Sequence, residues 1–192
     1  MAKVISISTK KGDAGESYLA NGQKLPKDAL VFEVLGNIDE LNSEIGLVVA
    51  HLRTAEFTVT PKTMQKDFLI EQLEDAQSNL YLLSGILAGA PNVLFSKTKL
   101  TKIEKQGDAL QEIMAEGWTT KFLYPGGSII GAHLDVTRSV CRRCERIIVS
   151  FSREHTVQPV VLQYINRLSD YLFILRCFVN LQFGVTEKQF SK

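Results

Sequence analysis

The sequence predicts an all-α fold, a single bundle of five helices behind an ordered N-terminal loop region. Apolar residues from Ile38 onward recur in steps of three and four, strand-like alternation is nearly absent, and a Pro125-Gly-Gly break separates two of the stripes. With 192 residues, 45% hydrophobic and 22% charged, the chain can bury one sizeable core but not two. Residues 1–192 are therefore expected as one domain, with 1–35 as the loop region and 36–184 as the bundle.

The first 35 residues are rich in Gly, Lys, Ser and Asp and have no regular periodicity. The first helix is expected from about Asn37 to Thr54. Asn37 stands three positions ahead of Glu40, the pattern of a capping box, and Ile38, Leu41, Ile45, Val48, Val49 and Leu52 follow at helical spacing. The second stripe, Leu69, Leu73, Ala76, Leu80, Leu83 and Leu87, reads as the seam of a long packed helix. A third helix, from about Lys97 to Glu116, carries the weaker stripe Leu100, Ile103, Leu110 and Ile113. The fourth is expected from about Ser128 to Arg153. The fifth runs from about Gln158 to Phe183, with Ile165, Leu168, Leu172 and Leu175 inward.

A net charge of +1 excludes bulk nucleic-acid binding and membrane-surface roles, which reward a large basic excess. The most apolar stretch is interrupted by Arg167, Asp170 and Arg176, so no membrane span is expected. Three cysteines, an odd number, and no secretory signal near Met1 point to a reducing compartment, the cytoplasm. No organelle transit peptide is visible; a trimmed one would leave the mitochondrial matrix open.

Two segments favour anions. The run Arg138 to Arg146, R-S-V-C-R-R-C-E-R, aligns Arg138, Arg142 and Arg146 on one helical face with Glu145 beside them. Arginine's planar fork grips phosphate or carboxylate in a fixed orientation, although a solvated basic face or internal ion pairs would use the same residues. The loop Thr9-Lys-Lys-Gly-Asp-Ala-Gly-Glu-Ser17 gathers glycines, hydroxyls and lysines as a phosphate cradle requires. It lacks the order of a P-loop and the helix that follows one. Together the two segments suit a triphosphate and its metal ion.

In the fifth helix Asn166, Arg167, Ser169 and Asp170 intrude on the apolar seam. Buried polar groups are costly unless paired, so these residues either link helices or face a ligand.

Five pieces then occur in order: T-K-x-G-D-x-G-x-S, P-K-D-x-x-V-F-E-x-x-G-x-x-D-E-L (Pro26 to Leu41), F-x-x-P-G-G (Phe122 to Gly127), R-x-x-C-R-R-x-E-R (Arg138 to Arg146) and N-R-L-S-D-x-L-F (Asn166 to Phe173). Over nearly its whole length the chain resembles the PduO-type ATP:cob(I)alamin adenosyltransferases. The resemblance implies an up-and-down five-helix bundle, a homotrimer with active sites between subunits, and a role in cobalamin biosynthesis. It implies transfer of the 5′-deoxyadenosyl group of ATP to cob(I)alamin, giving adenosylcobalamin and triphosphate. Substrates would be ATP with its Mg²⁺ and the corrinoid; a reductase or an acceptor mutase would be protein partners.

By the same resemblance, Thr9, Lys10, Lys11, Gly12, Ser17, Tyr18 and Lys27 of one subunit would hold ATP, completed by Arg142, Arg143, Glu145, Arg146 and Asn166 of a neighbour. Phe122 would press on the lower face of the corrin and displace its axial base. Asp39 and Arg138 would pair across the subunit interface, and with Arg142 and Phe122 they make the catalytic set.

The chain departs from the family pattern at Lys11, Glu16, Asp135, Thr137 and Cys144, where Thr, Thr or Ser, His, Ala and Ala are expected. Lys11 and Glu16 remove a hydroxyl and bring an acid toward the phosphates. A weak or inactive carrier or sensor of nucleotide or corrinoid, with the same fold, is therefore the alternative function. Cys141-Arg-Arg-Cys144 invites a redox or zinc reading, but its mid-helix position favours two packed thiols. His51, His133 and His155 share no ligand spacing, and no protein-bound metal is assigned. Asp39 could equally stabilise a helix start, and Phe122 could be ordinary core.

Overall fold

The computed structural model describes residue 8 and residues 10–57, 66–114 and 122–190. Among these, five helices follow a small antiparallel hairpin: β1 (Glu16–Tyr18), β2 (Lys24–Pro26), α1 (Leu30–Thr54), α2 (Lys66–Leu87), α3 (Lys97–Met114), α4 (Ile129–Phe151) and α5 (Pro159–Gln182). The all-α expectation stands, and four of the five helices begin within a few residues of where the periodicity put them. The expected end of the third helix at Glu116 lies outside the described residues.

The exception is α1, which begins at Leu30, seven residues ahead of Asn37 and inside the segment read as loop. Val31 and Val34 extend the buried stripe backwards at the same spacing as Ile38 and Leu41. Asn37 is therefore interior and caps nothing: its Nδ2 donates to the Glu33 carbonyl at 2.9 Å and to Glu33 Oε1 at 3.0 Å. Gly36, mid-helix, disguised the continuity. The other missed element is the hairpin, with Ser17 opposite Leu25 and Tyr18 opposite Lys24; three-residue strands give too short an alternation to register.

α4 packs on α1 and α5, α3 on α5, and α1 on α2. Val34, Leu41, Ile45, Leu80, Leu83, Leu134, Leu168 and Leu172 are completely buried, each contributing about 1.5–3 kcal/mol from apolar burial. Ser128 starts α4 by accepting from Gly131 N at 2.9 Å, and Pro159 opens α5, where a missing N–H costs nothing. No helix among the described residues is long and apolar enough to cross a membrane.

Polar pairs link the helices. Arg167 bridges Glu104 of α3 at 3.3 Å and Asp170 at 2.6 Å, and Ser169 donates to the Asn166 carbonyl. Of the two roles open to the polar intrusion in α5, Arg167 takes the linking one, while Asp170 and Ser169 bond within α5 itself.

Candidate active site

α4 and the segment that leads into it carry most of the site. Pro125, Gly126, Val136, Arg138, Arg143 and Arg146 are among the residues around a groove of about 600 Å³ on the outer face of α4. Arg138 Nε is buried with no hydrogen-bond partner. Arg143 is held from α1: its Nε donates to Asn37 Oδ1 at 3.1 Å, and its Nη2 pairs with Glu40. Arg142 and Arg146 are exposed and have no hydrogen-bond or ion-pair partner among the described residues. Glu145 accepts from Asn166 Nδ2 at 2.8 Å, so these two predicted neighbours do meet, across α4 and α5.

Phe122 is 85% exposed and not core. Its carbonyl accepts from Phe190 N at 2.8 Å, and Tyr124 N donates to the Lys188 carbonyl at 2.9 Å. A short tail segment beyond α5 thus runs alongside residues 122–124 and presents Tyr124 and Phe190 edge to face at 6.1 Å. Phe122, Tyr124 and Phe190 form an exposed apolar surface, and Val136 is exposed in the groove beside Arg138, Arg143 and Arg146.

Below this surface lies a polar cluster that the sequence alone did not reveal. Arg176, 1% exposed, donates Nε to Asp135 Oδ2 at 3.1 Å, pairs Nη1 with Glu187 at 2.5 Å, and donates Nη2 to the Tyr124 carbonyl at 2.8 Å. Burial alone would lower the Arg176 pKa; the Glu187 hydrogen bond and the Asp135 charge outweigh it and raise it. Asn180 completes the cluster by accepting from Ser128 N and Oγ and donating to the Gly126 carbonyl. Gly127 (φ 103°) and Gly131 are glycines because Asn180 fills their space: a Cβ would lie 2.4 and 2.1 Å from its side-chain atoms. The available signal was Arg176, an arginine inside a strongly apolar helix.

At the N-terminus, Lys10 (φ 59°) and Gly15 (φ 79°) turn the loop, and Lys27 N donates to the Gly15 carbonyl at 2.8 Å. Lys27 Nζ occupies the space above Gly12, 3.0 Å from where a Cβ would be. Gly12 and Lys27 are therefore together; Lys10, Lys11 and Tyr18 are exposed, and Ser17 and Tyr18 lie in β1. Thr9 lies outside the described residues. Glu16 pairs with Lys24 across the hairpin, a contact that raises the Lys24 pKa first through the hydrogen bond and then through the charge.

The hairpin packs at the far end of α4: Leu19, Leu25, Ile86, Phe151 and His155 share one apolar cavity. Along α4, Phe151 is five residues from Arg146, nine from Arg142 and 13 from Arg138, about 8, 14 and 20 Å. Among the described residues, no hydrogen bond or ion pair joins the lysine loop to the arginines. Asp39 is likewise exposed, with no hydrogen-bond or ion-pair partner among them. It stands nine residues inside α1, too far from the start for a dipole role, which corrects that alternative.

Three departures from the family pattern point inward. Asp135 is the counter-ion of Arg176, Thr137 is fully buried and donates to the His133 carbonyl at 2.8 Å, and Cys144 is fully buried. His51 and His133 stack at 4.7 Å, and His155 stacks on Phe151 at 4.1 Å. No group of three or more His, Cys, Asp or Glu among the described residues could hold a metal.

Burial raises the Cys141 thiol well above its ordinary value and pushes Cys144 up to about 12. A thiol reagent at pH 8 is therefore expected to leave both silent in the native protein and to label them in denaturant; rapid native labelling would restore the redox reading. The sign for stability follows from linkage. An unfolded thiol ionises near 8.5, so the folded state is increasingly disfavoured as pH rises from there toward the folded value.

The sequence profile of the cobalamin adenosyltransferase family matches residues 7–179. The chain is 32% identical over 196 residues to the corrinoid adenosyltransferase of Bacillus subtilis, covering 98% of this chain and 93% of that protein. It is also 32% identical over 198 residues to human corrinoid adenosyltransferase MMAB, covering 99% of this chain and 75% of the human one. Among solved structures it resembles a variant of the PduO-type ATP:corrinoid adenosyltransferase from Lactobacillus reuteri complexed with cobalamin and ATP. The TM-score is 0.83 at 28% identity, covering 97% of this chain and 100% of that one. With the profile spanning most of its length and relatives above 30% identity covering nearly all of it, the chain belongs to the cobalamin adenosyltransferase family.

Proposed function

We propose that this chain transfers the 5′-deoxyadenosyl group of ATP to cob(I)alamin, releasing triphosphate. The observation that carries this reading is the presence of unengaged arginines on the surface of α4 together with an outward-facing Phe122 in the segment that leads into the same helix. The cobalt(I) lone pair attacks the 5′ carbon, the C5′–O bond breaks, and its electrons leave with triphosphate. Cobalt(I) is itself a strong nucleophile, so the protein need supply no base or covalent intermediate. Its task is alignment and stabilisation of charge on the leaving group.

Arg142 and Arg146 serve the triphosphate, with Glu145 and Asn166 as a preassembled pair beside them. Arg143 shares the site from its anchorage on α1. The second half of the site is the loop of a neighbouring subunit, with Thr9, Lys10, Lys11, Gly12, Ser17, Tyr18 and Lys27; Mg²⁺ travels with ATP. A homotrimer would bring the loop of one subunit onto the arginines of another, to which no hydrogen bond or ion pair joins it within one chain among the described residues. It also gives Asp39 and the unpartnered Arg138 Nε an intersubunit pairing. Phe122 faces the corrin and displaces its axial base. A reductase supplies cobalt(I), in the cytoplasm or the mitochondrial matrix, where three unpaired thiols are stable.

The carrier reading loses part of its support, because Glu16 is neutralised by Lys24 rather than free to repel phosphates. Incubation with ATP, Mg²⁺ and chemically reduced cobalamin is expected to yield adenosylcobalamin and triphosphate. Absence of both products, with intact ATP binding, would return the protein to the carrier class. Sedimentation at working concentration is expected to give three times the 21.4 kDa chain mass, and a monomer would undo the composite site.

A further inference from the structure

The Phe122 side chain, 85% exposed, has almost nothing in its own chain to fix its direction. Its placement therefore depends on the backbone of residues 122–124, and that backbone is held from two sides. From below, Arg176 Nη2 donates to the carbonyls of Tyr124 at 2.8 Å and Gly126 at 3.2 Å. From the side, the tail pairs with it through Lys188 and Phe190. Glu187 joins the two supports, since its carboxylate takes Arg176 Nη1 at 2.5 Å and Asn180 Nδ2 at 3.0 Å.

Asp135 fixes the other end of the same guanidinium and also accepts from Gly126 N at 2.8 Å. Arginine's fork suits this use, because several donors leave one rigid plane in set directions. An arginine needed only to fill the core would be a poor choice against an apolar residue. We propose that Asp135, Arg176 and Glu187 are positioning residues, which latch the tail to the 122–126 segment and so set the angle at which Phe122 meets the corrin. The proposal rests on the reading of Phe122 given above.

The test compares full-length wild type, Glu187→Gln and Phe122→Ala. Glu187→Gln keeps the side-chain shape on a tail outside the helices, so folding is expected to survive. Amide hydrogen exchange at Tyr124 and Phe190 is expected to speed up about tenfold, the size of a lost charge-assisted hydrogen bond. The four-coordinate cobalt(II) signal in electron paramagnetic resonance, recorded with ATP and cob(II)alamin, is expected to fall severalfold, while the KM for ATP stays unchanged. Unchanged exchange overturns the latch, and faster exchange with an undiminished cobalt signal reduces it to a structural rivet and overturns it as well. If Phe122→Ala loses the signal and Glu187→Gln keeps it, the positioning proposal fails alone. A full signal from Phe122→Ala overturns the reading of Phe122 and the proposal together.

Discussion

Replacing Arg142 with Ala is expected to lower kcat for adenosyl transfer about 100- to 1000-fold, the effect of removing one preorganised donor from a developing charge. Arg142 is exposed and has no hydrogen-bond or ion-pair partner among the described residues, so its removal breaks no such contact in the fold. Its loss falls on the step in which negative charge accumulates on departing triphosphate, so kcat and kcat/KM are expected to fall together. Arg143 offers the internal comparison. Its guanidinium already contacts Asn37 and Glu40, and both partners of the Glu40 pair are nearly half exposed. Such a pair is worth about 0–1 kcal/mol. Arg143→Ala is therefore expected to reduce activity less than Arg142→Ala. Equal losses in steady-state assays would show that Arg143 leaves Glu40 when ATP arrives.

The largest stability effect is expected at Arg176. Arg176→Met removes the charge but keeps most of the volume, leaving Asp135 and Glu187 without their cation and the Tyr124 carbonyl without its donor, while the Gly126 carbonyl keeps Asn180. Breaking a buried pair from one side costs about 3–5 kcal/mol, which for a domain of this size lowers Tm by about 6–20 °C. The double variant Arg176→Met with Asp135→Asn is expected to recover part of that loss, since one stranded carboxylate is neutralised. Thermal denaturation of wild type, the two single variants and the double variant reads this directly. An additive double variant would mean that Asp135 and Arg176 are not energetically coupled, despite their 3.1 Å contact.

These two arginines illustrate what was legible before folding. Arg142 stood in a motif whose spacing put it on a charged helical face, and the structure leaves it on the surface, as such a face requires. Arg176 was visible only as an interruption of an apolar helix, and nothing in local sequence connects it with Asp135 or with Glu187. Lys24 and Glu16 tell the same story on a smaller scale: Glu16 read as an acid near phosphates until the hairpin brought the Lys24 side chain within ion-pair reach of it.

The start of α1 shows how local signals mislead. Asn37 followed by Glu40 satisfies a capping pattern, yet Val31 and Val34 bury so well against the bundle that the helix continues seven residues further back. Tertiary burial of two valines outweighs the local cost of Gly36, about 1 kcal/mol. The capping role once open to Asp39 disappears with that correction.

The all-α class, the five apolar stripes, the position of the arginine run and the family motifs are all legible in the chain, because each rests on periodicity or on local spacing. Only the tertiary structure decided which arginines are engaged and which are free, that Phe122 faces outward, and that a tail carboxylate, a helix-four aspartate and a helix-five arginine meet beneath it. Those facts depend on contacts between residues 11 to 68 positions apart. Pairings at such separations are created by packing, and no local pattern encodes them.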